Sequence, residues 1–250
     1  MFAIASQREL PAILLIDDDL VSREVTATLL TMSGYSVHSA DSGEAAVQML
    51  KKGGFLPGVV LMDAQMPGLS GAALIAELRA QSQAPIYAIS ASELPQGVAA
   101  AADGFLLKPF DIENLRKLIE RRDPETPTSR LDPTDPVLNA EILAQFRRLM
   151  PEPAVRQIYT AVIDDLTKRI DALGVAIAKG DASEVRRIGH AIKGSCGMAG
   201  AVQVAHLGAL LEAAPLGAKD NQLDNSANLL RDLRAAARGL KRMLDAELPA

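Results

Sequence analysis

The sequence of 250 residues is poor in several residue types, and each shortage excludes a class of protein. A single cysteine, Cys196, excludes an internal disulfide framework or a cysteine-rich zinc site and favours a reducing compartment. Tryptophan is absent and aromatic residues make up only 3%, which argues against a stacking platform for single-stranded nucleic acid. The first residues lack the basic start and apolar core of a signal peptide, so we expect a cytoplasmic location.

Two further absences concern membranes and nucleotides. The 18 residues 194–211 carry no formal charge, but they include four glycines and several polar residues, so we predict packed helices and no membrane span. No G-x-x-x-x-G-K-[ST] loop, kinase glycine loop or dinucleotide motif is present. We therefore expect no ATP-dependent kinase activity in this chain.

A proline-rich segment divides the sequence. Residues 123–136 contain four prolines in 14 residues, which is typical of an extended linker. Residues 1–122 carry 10 Lys and Arg against 14 Asp and Glu, whereas residues 137–250 carry 15 against 13. The sequence thus predicts an acidic N-terminal domain (1–122), a linker (123–136) and a mildly basic C-terminal domain (137–250).

The first domain alternates short apolar runs with helical patterns. Five runs predict strands at 12–16, 35–40, 58–62, 85–90 and 104–108, with helices near 20–33, 42–52, 70–82, 94–102 and 111–121. Such alternation predicts right-handed βαβ units and a doubly wound parallel sheet, an α/β fold.

The second domain shows only helical periodicity. Helices are predicted near 138–149, 153–179, 182–196, 200–213 and 221–246. Asp181 and Glu184 form an acidic variant of a capping box, which places one helix start at Ala182. Short connections between these helices favour an antiparallel bundle.

Carboxylates follow the first and third predicted strands. Asp17, Asp18 and Asp19 follow the first strand, and Asp63 follows the third. If the strand order is 2-1-3-4-5, these two strands are neighbours at the switch point where ligands bind. Like charges at that distance need compensation, which a hard cation such as Mg²⁺ provides. The alternative for three successive aspartates is a solvated acidic turn.

Two other strand ends add complementary groups. Ser90 ends the fourth run, and Lys108 ends the fifth, just before a proline. Each would be an ordinary loop residue on its own. A hydroxyl, an ammonium and Mg²⁺ around one carboxylate form a site for a phosphoryl group.

The segments LLIDDD, VVLMDAQMPGLSG, ISAS and FLLKPF resemble the receiver domain of two-component response regulators, over residues 12–121. The resemblance implies a flavodoxin-like (βα)5 fold and a magnesium-dependent phosphorylation. It also implies roles for individual residues: Asp63 as phosphoacceptor, Asp18 and Asp17 as magnesium ligands with the backbone carbonyl of Gln65, Ser90 and Phe105 as switch residues, and Lys108 as the phosphoryl-contacting lysine. The Lys108–Pro109 bond is cis in the family. Asp19 has no family role, and we interpret it as a helix-start charge.

One segment departs from the family pattern. Ser90 and Phe105 are 15 positions apart, which is shorter than usual for a receiver. The shortening falls on the fourth helix and its preceding loop, a face that commonly carries output or dimerisation. A standard dimer switch is therefore not expected.

A histidine marks the second domain. His190, Lys193, Gly194 and Gly197 share one helical face, and two arginines, Arg186 and Arg187, lie one turn earlier. Glycines allow another protein to approach the ring, and cations favour an incoming phosphoryl group. The alternative is an ordinary helix histidine beside a basic patch.

The run HAIKGSCGMAGA resembles the histidine phosphotransfer (HPt) signature His-x-x-Lys-Gly-Ser, and the resemblance covers about residues 137–250. It implies that His190 is a phosphoacceptor with Lys193 as its neighbour. Cys196 is interpreted as a small buried residue and not as a nucleophile.

The two resemblances together suggest a phosphorelay intermediate. Asp63 would receive a phosphoryl group from an upstream sensor histidine kinase. His190 would exchange it with a receiver domain, such as that of another response regulator downstream. An extended linker of this length spans ~40 Å at ~3.1 Å per residue, which allows transfer within one chain without requiring it.

Two other hypotheses remain open. In the first, the receiver is a phosphorylation-gated adaptor that controls access to His190. In the second, residues 182–213 form a DNA-binding helix-turn-helix, but the second helix offers only Gln203 and His206 for reading bases and no Lys or Arg. We therefore expect no nucleic-acid partner.

Overall fold

The computed structural model describes residues 10–91, 94, 96–110, 112–119, 137–213 and 220–248. The predicted linker 123–136 lies outside the described residues. The same holds for residues 214–219, which follow the predicted helix 200–213. The described residues form an α/β unit (10–119) and a helical unit (137–248).

A five-stranded parallel sheet forms the centre of the α/β unit. The strands are β1 (Ile13–Ile16), β2 (Val37–Ala40), β3 (Val59–Asp63), β4 (Ile86–Ser90) and β5 (Gly104–Leu107), and the helices are α1 (Leu20–Met32), α2 (Gly43–Lys52), α3 (Gly71–Gln81), α4 (Gln96–Ala101) and α5 (Ile112–Ile119). The strand order is β2-β1-β3-β4-β5, and every pair is parallel. The predicted doubly wound, flavodoxin-like (βα)5 fold is confirmed.

Both faces of the sheet are buried. Successive side chains of a strand point to opposite sides, so each strand contributes residues to both faces. Ile13 and Leu15 belong to one apolar cluster, and Leu14 and Ile16 belong to the other. All four side chains are fully buried. This explains why β1 is continuously hydrophobic and does not alternate with polar residues.

The helical unit contains α6 (Ala140–Leu149), α7 (Glu152–Lys179), α8 (Ala182–Met198), α9 (Val202–Ala213) and α10 (Asp220–Glu247). The last four helices pack as a bundle, with α7 against α8 and α10, and α9 against α8 and α10. The predicted bundle is thus confirmed. Helix α8 is two residues longer than predicted, because the helix continues through Gly197 and ends at Met198.

The start of α8 agrees only in part with the predicted capping box. The carboxylate of Asp181 accepts a hydrogen bond from the backbone N–H of Glu184 at 3.0 Å, as an N-cap residue does. The side chain of Glu184 does not close the capping box, because it binds the guanidinium of Arg187 at 2.7 Å instead.

The two units contact each other through α1. This helix packs against α6, α7 and α8 of the helical unit. A single apolar cluster contains Val21 and Val25 of α1 together with Val155 and Tyr159 of α7. The α/β unit and the bundle therefore share one continuous buried core. Among the described residues, no helix has the length and hydropathy needed to cross a bilayer.

Two glycines allow α8 and α9 to pack closely. A Cβ atom at Gly189 would lie 2.7 Å from the backbone nitrogen of Glu212, and one at Gly208 would lie 2.7 Å from that of Lys193. Neither neighbour is a flexible side-chain end, so any larger residue would push the two helices apart.

We expect Gly189→Ala to lower the free energy of unfolding by about 1–3 kcal/mol, since the added methyl overpacks a backbone contact. Gly239→Ala on α10 is the matched control, because nothing lies within 4 Å of its Cβ position. The control should be neutral or stabilising by about 0.5–1 kcal/mol, since glycine is a poor helix former. Chemical denaturation measures both, and equal effects of the two substitutions would contradict the prediction.

Candidate phosphotransfer site

The carboxylates predicted at the strand ends converge on one lysine. The Lys108 Nζ lies 2.6 Å from Asp63 Oδ2 and 2.9 Å from Asp17 Oδ2. All three side chains are almost completely buried. Asp63 is the last residue of β3 and Asp17 follows β1, so the central strand pair of the sheet places them together.

The charged groups in this pocket shift the pKa of both Lys108 and Asp18. Burial alone would lower the pKa of the Lys108 ammonium, but the charges of Asp17 and Asp63 outweigh it and hold that pKa above its ordinary value. The pKa of Asp18 is raised by burial and by repulsion from Asp17 and Asp63. The pocket thus has an excess of negative charge that Lys108 only partly neutralises.

Backbone and hydroxyl donors fix the remaining carboxylate oxygens. Asp63 Oδ1 accepts a hydrogen bond from the Gln65 N–H at 2.8 Å, and Asp17 Oδ1 accepts one from the Asp19 N–H at 2.9 Å. The Ser22 hydroxyl donates to Asp17 Oδ2 at 2.7 Å and accepts from Lys108 at 2.9 Å. Ser22 was not predicted from the sequence, because its position on the first turn of α1 gives no sign that it faces the pocket.

The predicted magnesium ligands Asp17, Asp18 and Asp63 share this pocket, and Gln65 lies beside it. Within the described part of the chain, no three His, Cys, Asp or Glu side chains are arranged as a ready-made metal cluster. The Lys108 ammonium contacts two of these carboxylates, those of Asp17 and Asp63. The donor set nevertheless fits Mg²⁺, which uses one or two carboxylates and keeps several waters.

The two predicted switch residues differ in exposure. Ser90 is fully buried at the end of β4, and its carbonyl accepts a hydrogen bond from the Lys108 N–H at 2.7 Å. Phe105 on β5 is 43% exposed. The Lys108–Pro109 peptide is cis, as the resemblance implied. Ser90 thus lies on the same sheet edge as Lys108, while Phe105 faces outward from that sheet.

His190 lies on α8 and is held by a residue of α9. Its Nδ1 is 2.9 Å from Glu212 Oε1, and the Lys193 Nζ is 3.0 Å from Glu212 Oε2. Glu212 therefore bridges the two residues that the HPt signature predicts. With the carboxylate ionised, Nδ1 is the hydrogen-bond donor, so the neutral ring carries its lone pair on Nε2.

Glu212 was not predicted from the sequence, although a signal was present. It is the only charged residue of α9, and it directly follows the uncharged stretch 194–211. Burial alone would raise its pKa, but the hydrogen bonds from His190 and Lys193 outweigh burial and leave that pKa below its ordinary value.

One open cleft of about 720 Å³ joins the two candidate centres. It lies between the units and is lined by Asp18, Asp63, Lys108, Arg186, Arg187 and His190, among others. The two arginines are exposed, and Arg187 binds Glu184. The structure thus brings the predicted aspartate and histidine to a common space.

The glycine face of α8 is covered by the α/β unit. A Cβ atom at Gly194 would lie 4.0 Å from Lys108 Cδ. One at Gly197 would lie 3.9 Å from Pro109 Cδ and 3.9 Å from Ala205 Cβ of α9. Cys196, on the same helix, is 1% exposed, and burial raises the pKa of its thiol to about 12. Such a thiol is inert at neutral pH, in agreement with its interpretation as a packing residue.

The fold has an aspartate pocket at the carboxyl edge of a parallel sheet, joined to a helical bundle whose histidine lines the same cleft. These features define a protein of the two-component type. Residues 13–120 match the family described as response regulator receiver domain, and residues 157–247 match the Hpt domain family. The chain combines a receiver domain with an Hpt domain and belongs to the two-component signal transduction proteins.

Known relatives include both kinases and regulators. The chain is 30% identical over 216 residues to the sensor histidine kinase AruS of Pseudomonas aeruginosa, a match covering 82% of this chain and 21% of the kinase. It is 32% identical over 155 residues to the response regulator MprA of a Mycobacterium species, covering 58% of this chain and 62% of the regulator. It therefore spans about a fifth of the kinase and about three fifths of the regulator.

Solved structures similar to this chain include the response regulator TrrA of Thermotoga maritima in complex with Mg²⁺-BeF. The two chains are 27% identical with a TM-score of 0.40, and the match covers 46% of this chain and 100% of TrrA.

We expect Glu212→Leu to change the tautomer of His190. Without the carboxylate, nothing selects the proton on Nδ1, and the Nε2–H form gains population. In Glu212→Gln, the amide oxygen can still accept from Nδ1, so the wild-type tautomer should largely persist. Nitrogen-15 chemical shifts of labelled histidine distinguish the forms. Identical shifts in wild type and Glu212→Leu would disprove the assignment.

Acid should remove the stabilisation that Glu212 provides. Because its folded-state pKa is lower than the ordinary value of 4.5, its ionised interactions stabilise the fold above that pH and are lost as pH falls through the folded pKa. At pH 7, Glu212→Gln should lower the free energy of unfolding by about 1 kcal/mol. The difference should shrink as the pH falls below 4.5.

Denaturation of both proteins across this pH range measures the effect. Glu77→Gln on the exposed face of α3 controls for the loss of one negative charge. A difference between wild type and Glu212→Gln that is the same at pH 7 and pH 3 would contradict the prediction.

Proposed function

We propose that this protein is a phosphorelay intermediate in which Asp63 and His190 carry the phosphoryl group in turn. The observation that carries the proposal is the single cleft lined by Asp63, Lys108 and His190. The domain division at 1–122, 123–136 and 137–250 remains part of this proposal, as do the site assignments.

At the first centre, Asp63 attacks the phosphorus of a phosphohistidine or a small acyl phosphate in an in-line displacement. Lys108 is placed to neutralise charge that develops on the transferred group, since its ammonium already contacts the Asp63 carboxylate. Asp17, Asp18 and Asp63, with the Gln65 carbonyl, would hold Mg²⁺, which supplies further charge neutralisation when bound. Ser90 and Phe105 would respond to the phosphorylated state.

At the second centre, the lone pair on His190 Nε2 attacks the phosphorus of an acyl phosphate. Glu212 holds the Nδ1 proton and so keeps Nε2 free and the ring oriented. Lys193 is held near the ring by the same carboxylate and adds positive charge to the region. Arg186 and Arg187, which line the cleft, favour the approaching anion.

The partners follow from the two domains. A receiver accepts phosphoryl groups from a histidine kinase, and an Hpt domain exchanges them with receivers. We infer a sensor histidine kinase upstream and the receiver of another response regulator downstream, in the cytoplasm.

The adaptor hypothesis differs in that phosphorylation of Asp63 would only control access to His190. The helix-turn-helix hypothesis is disfavoured, because α8 and α9 are held together as part of the bundle core.

Phosphorylation with labelled acetyl phosphate tests the proposal. With Mg²⁺, wild type should form both base-labile phosphoaspartate and base-stable phosphohistidine. His190→Gln should form only the first, and Asp63→Asn should form neither. Asp103→Asn, which alters an exposed aspartate on the same unit, is the control and should behave as wild type. Wild type that labels Asp63 but never forms phosphohistidine would favour the gated adaptor.

A further inference from the structure

We propose that the chain's own receiver domain is the docked partner of His190, so that the phosphoryl group passes between Asp63 and His190 within one molecule. This inference rests on the proposed function and identifies the receiver domain that exchanges the phosphoryl group with His190. It also assigns Arg169 as a positioning residue that holds the receiver on the Hpt domain.

The first observation is that the face around His190 is already occupied. Gly194 and Gly197, the bare positions of that face, are buried. The Lys108–Pro109 segment of the receiver lies against both, at 4.0 and 3.9 Å from their Cβ positions, and Ala205 of α9 is equally close to the position at Gly197. The residue that contacts Asp63 is therefore the residue that lies on the glycine face of α8.

The second observation is an ion pair between the domains. Arg169 on α7 donates from Nη2 to Asp19 Oδ2 at 2.5 Å. The two side chains are only 18% and 13% exposed, so the pair is shielded from salt. Asp165 also binds the Arg169 guanidinium and holds it in position. Because Asp19 caps α1 immediately after the acidic residues of the pocket, this pair fixes the pocket relative to α7 and α8.

The third observation is the apolar contact behind the ion pair. Helix α1 packs against α7 and α8, and its buried Val21 and Val25 belong to the same cluster as the core of the bundle. Continuous apolar burial favours a stably docked pair of domains over two domains on a free tether.

The transfer step balances without any further reactant. The Nε2 lone pair forms the N–P bond as the bond between phosphorus and the Asp63 carboxylate oxygen breaks, and the carboxylate leaves with the electron pair. The Nδ1 proton stays on the ring against Glu212, and Lys108 remains to pair the restored carboxylate. The reverse step uses the same groups.

Docking has a consequence for other receivers. An external receiver needs the glycine face that the chain's own receiver covers, so the two must compete for it. The short tether gives the chain's own receiver an effective concentration on the order of 1 mM. An external receiver at micromolar concentration competes with that poorly.

The test separates transfer within a molecule from transfer between molecules. Full-length wild type, labelled with acetyl phosphate and Mg²⁺, should form phosphohistidine at a first-order rate independent of protein concentration. A mixture of full-length His190→Gln, labelled at Asp63, with full-length Asp63→Asn should transfer at least about 100-fold more slowly at ~1 µM of each. That slower rate should rise in proportion to concentration.

The docking residue has its own test. Arg169→Ala should slow phosphohistidine formation in the intact chain by about tenfold or more, with unchanged labelling of Asp63. It should also increase the radius of gyration measured by small-angle scattering. Arg231→Ala is the matched control, since this arginine of α10 makes an ion pair that is 73% exposed on the arginine side. The control should change neither quantity.

Three results would overturn the inference. A mixture that transfers as fast as wild type, or a wild-type rate that scales with concentration, would show that the domains exchange phosphoryl groups between molecules. An Arg169→Ala protein with wild-type rate and radius would refute the assigned ion pair. Failure of the proposed function is distinguishable, because wild type would then form no phosphohistidine at any concentration.

Discussion

The Lys108 ammonium is the charge on which the geometry of the acidic pocket depends. Buried carboxylates this close would repel each other strongly, and one buried cation contacts two of them at 2.6 and 2.9 Å. The same side chain forms part of the surface on which α8 rests. One residue therefore contacts both the Asp63 carboxylate and the surface of α8.

Glu212 has a comparable position in the second centre. One carboxylate binds both the imidazole of His190 and the ammonium of Lys193. The close crossing of α8 and α9, made possible by Gly189 and Gly208, places it there. The backbone packing of the bundle thus places a carboxylate beside Nδ1 of the histidine, since a wider crossing would move that carboxylate away from the ring.

Much of the architecture could be predicted because it depends on local patterns. Continuous apolar runs identified β1 and β3, and the acid at the end of each predicted the pocket at the switch point. The interpretation of Asp19 as a helix-start charge was also confirmed, as its carboxylate caps α1. The capping box at Asp181 was half right, because Glu184 had a stronger partner in Arg187 than the backbone of its own N-cap.

Other features depend on contacts between residues distant in the sequence, and these were missed. Ser22 and Glu212 became site residues only through packing, and Arg169 gave no sign of a role until α7 lay beside α1. The linker length allowed transfer within one chain without requiring it. The amino-acid order by itself determined the two folds and the candidate residues for phosphoryl chemistry, because strand burial, helix periodicity and strand-end position are local properties. Only the tertiary structure decided that the two centres face one cleft, since that depends on which apolar faces and which opposite charges meet when the domains pack.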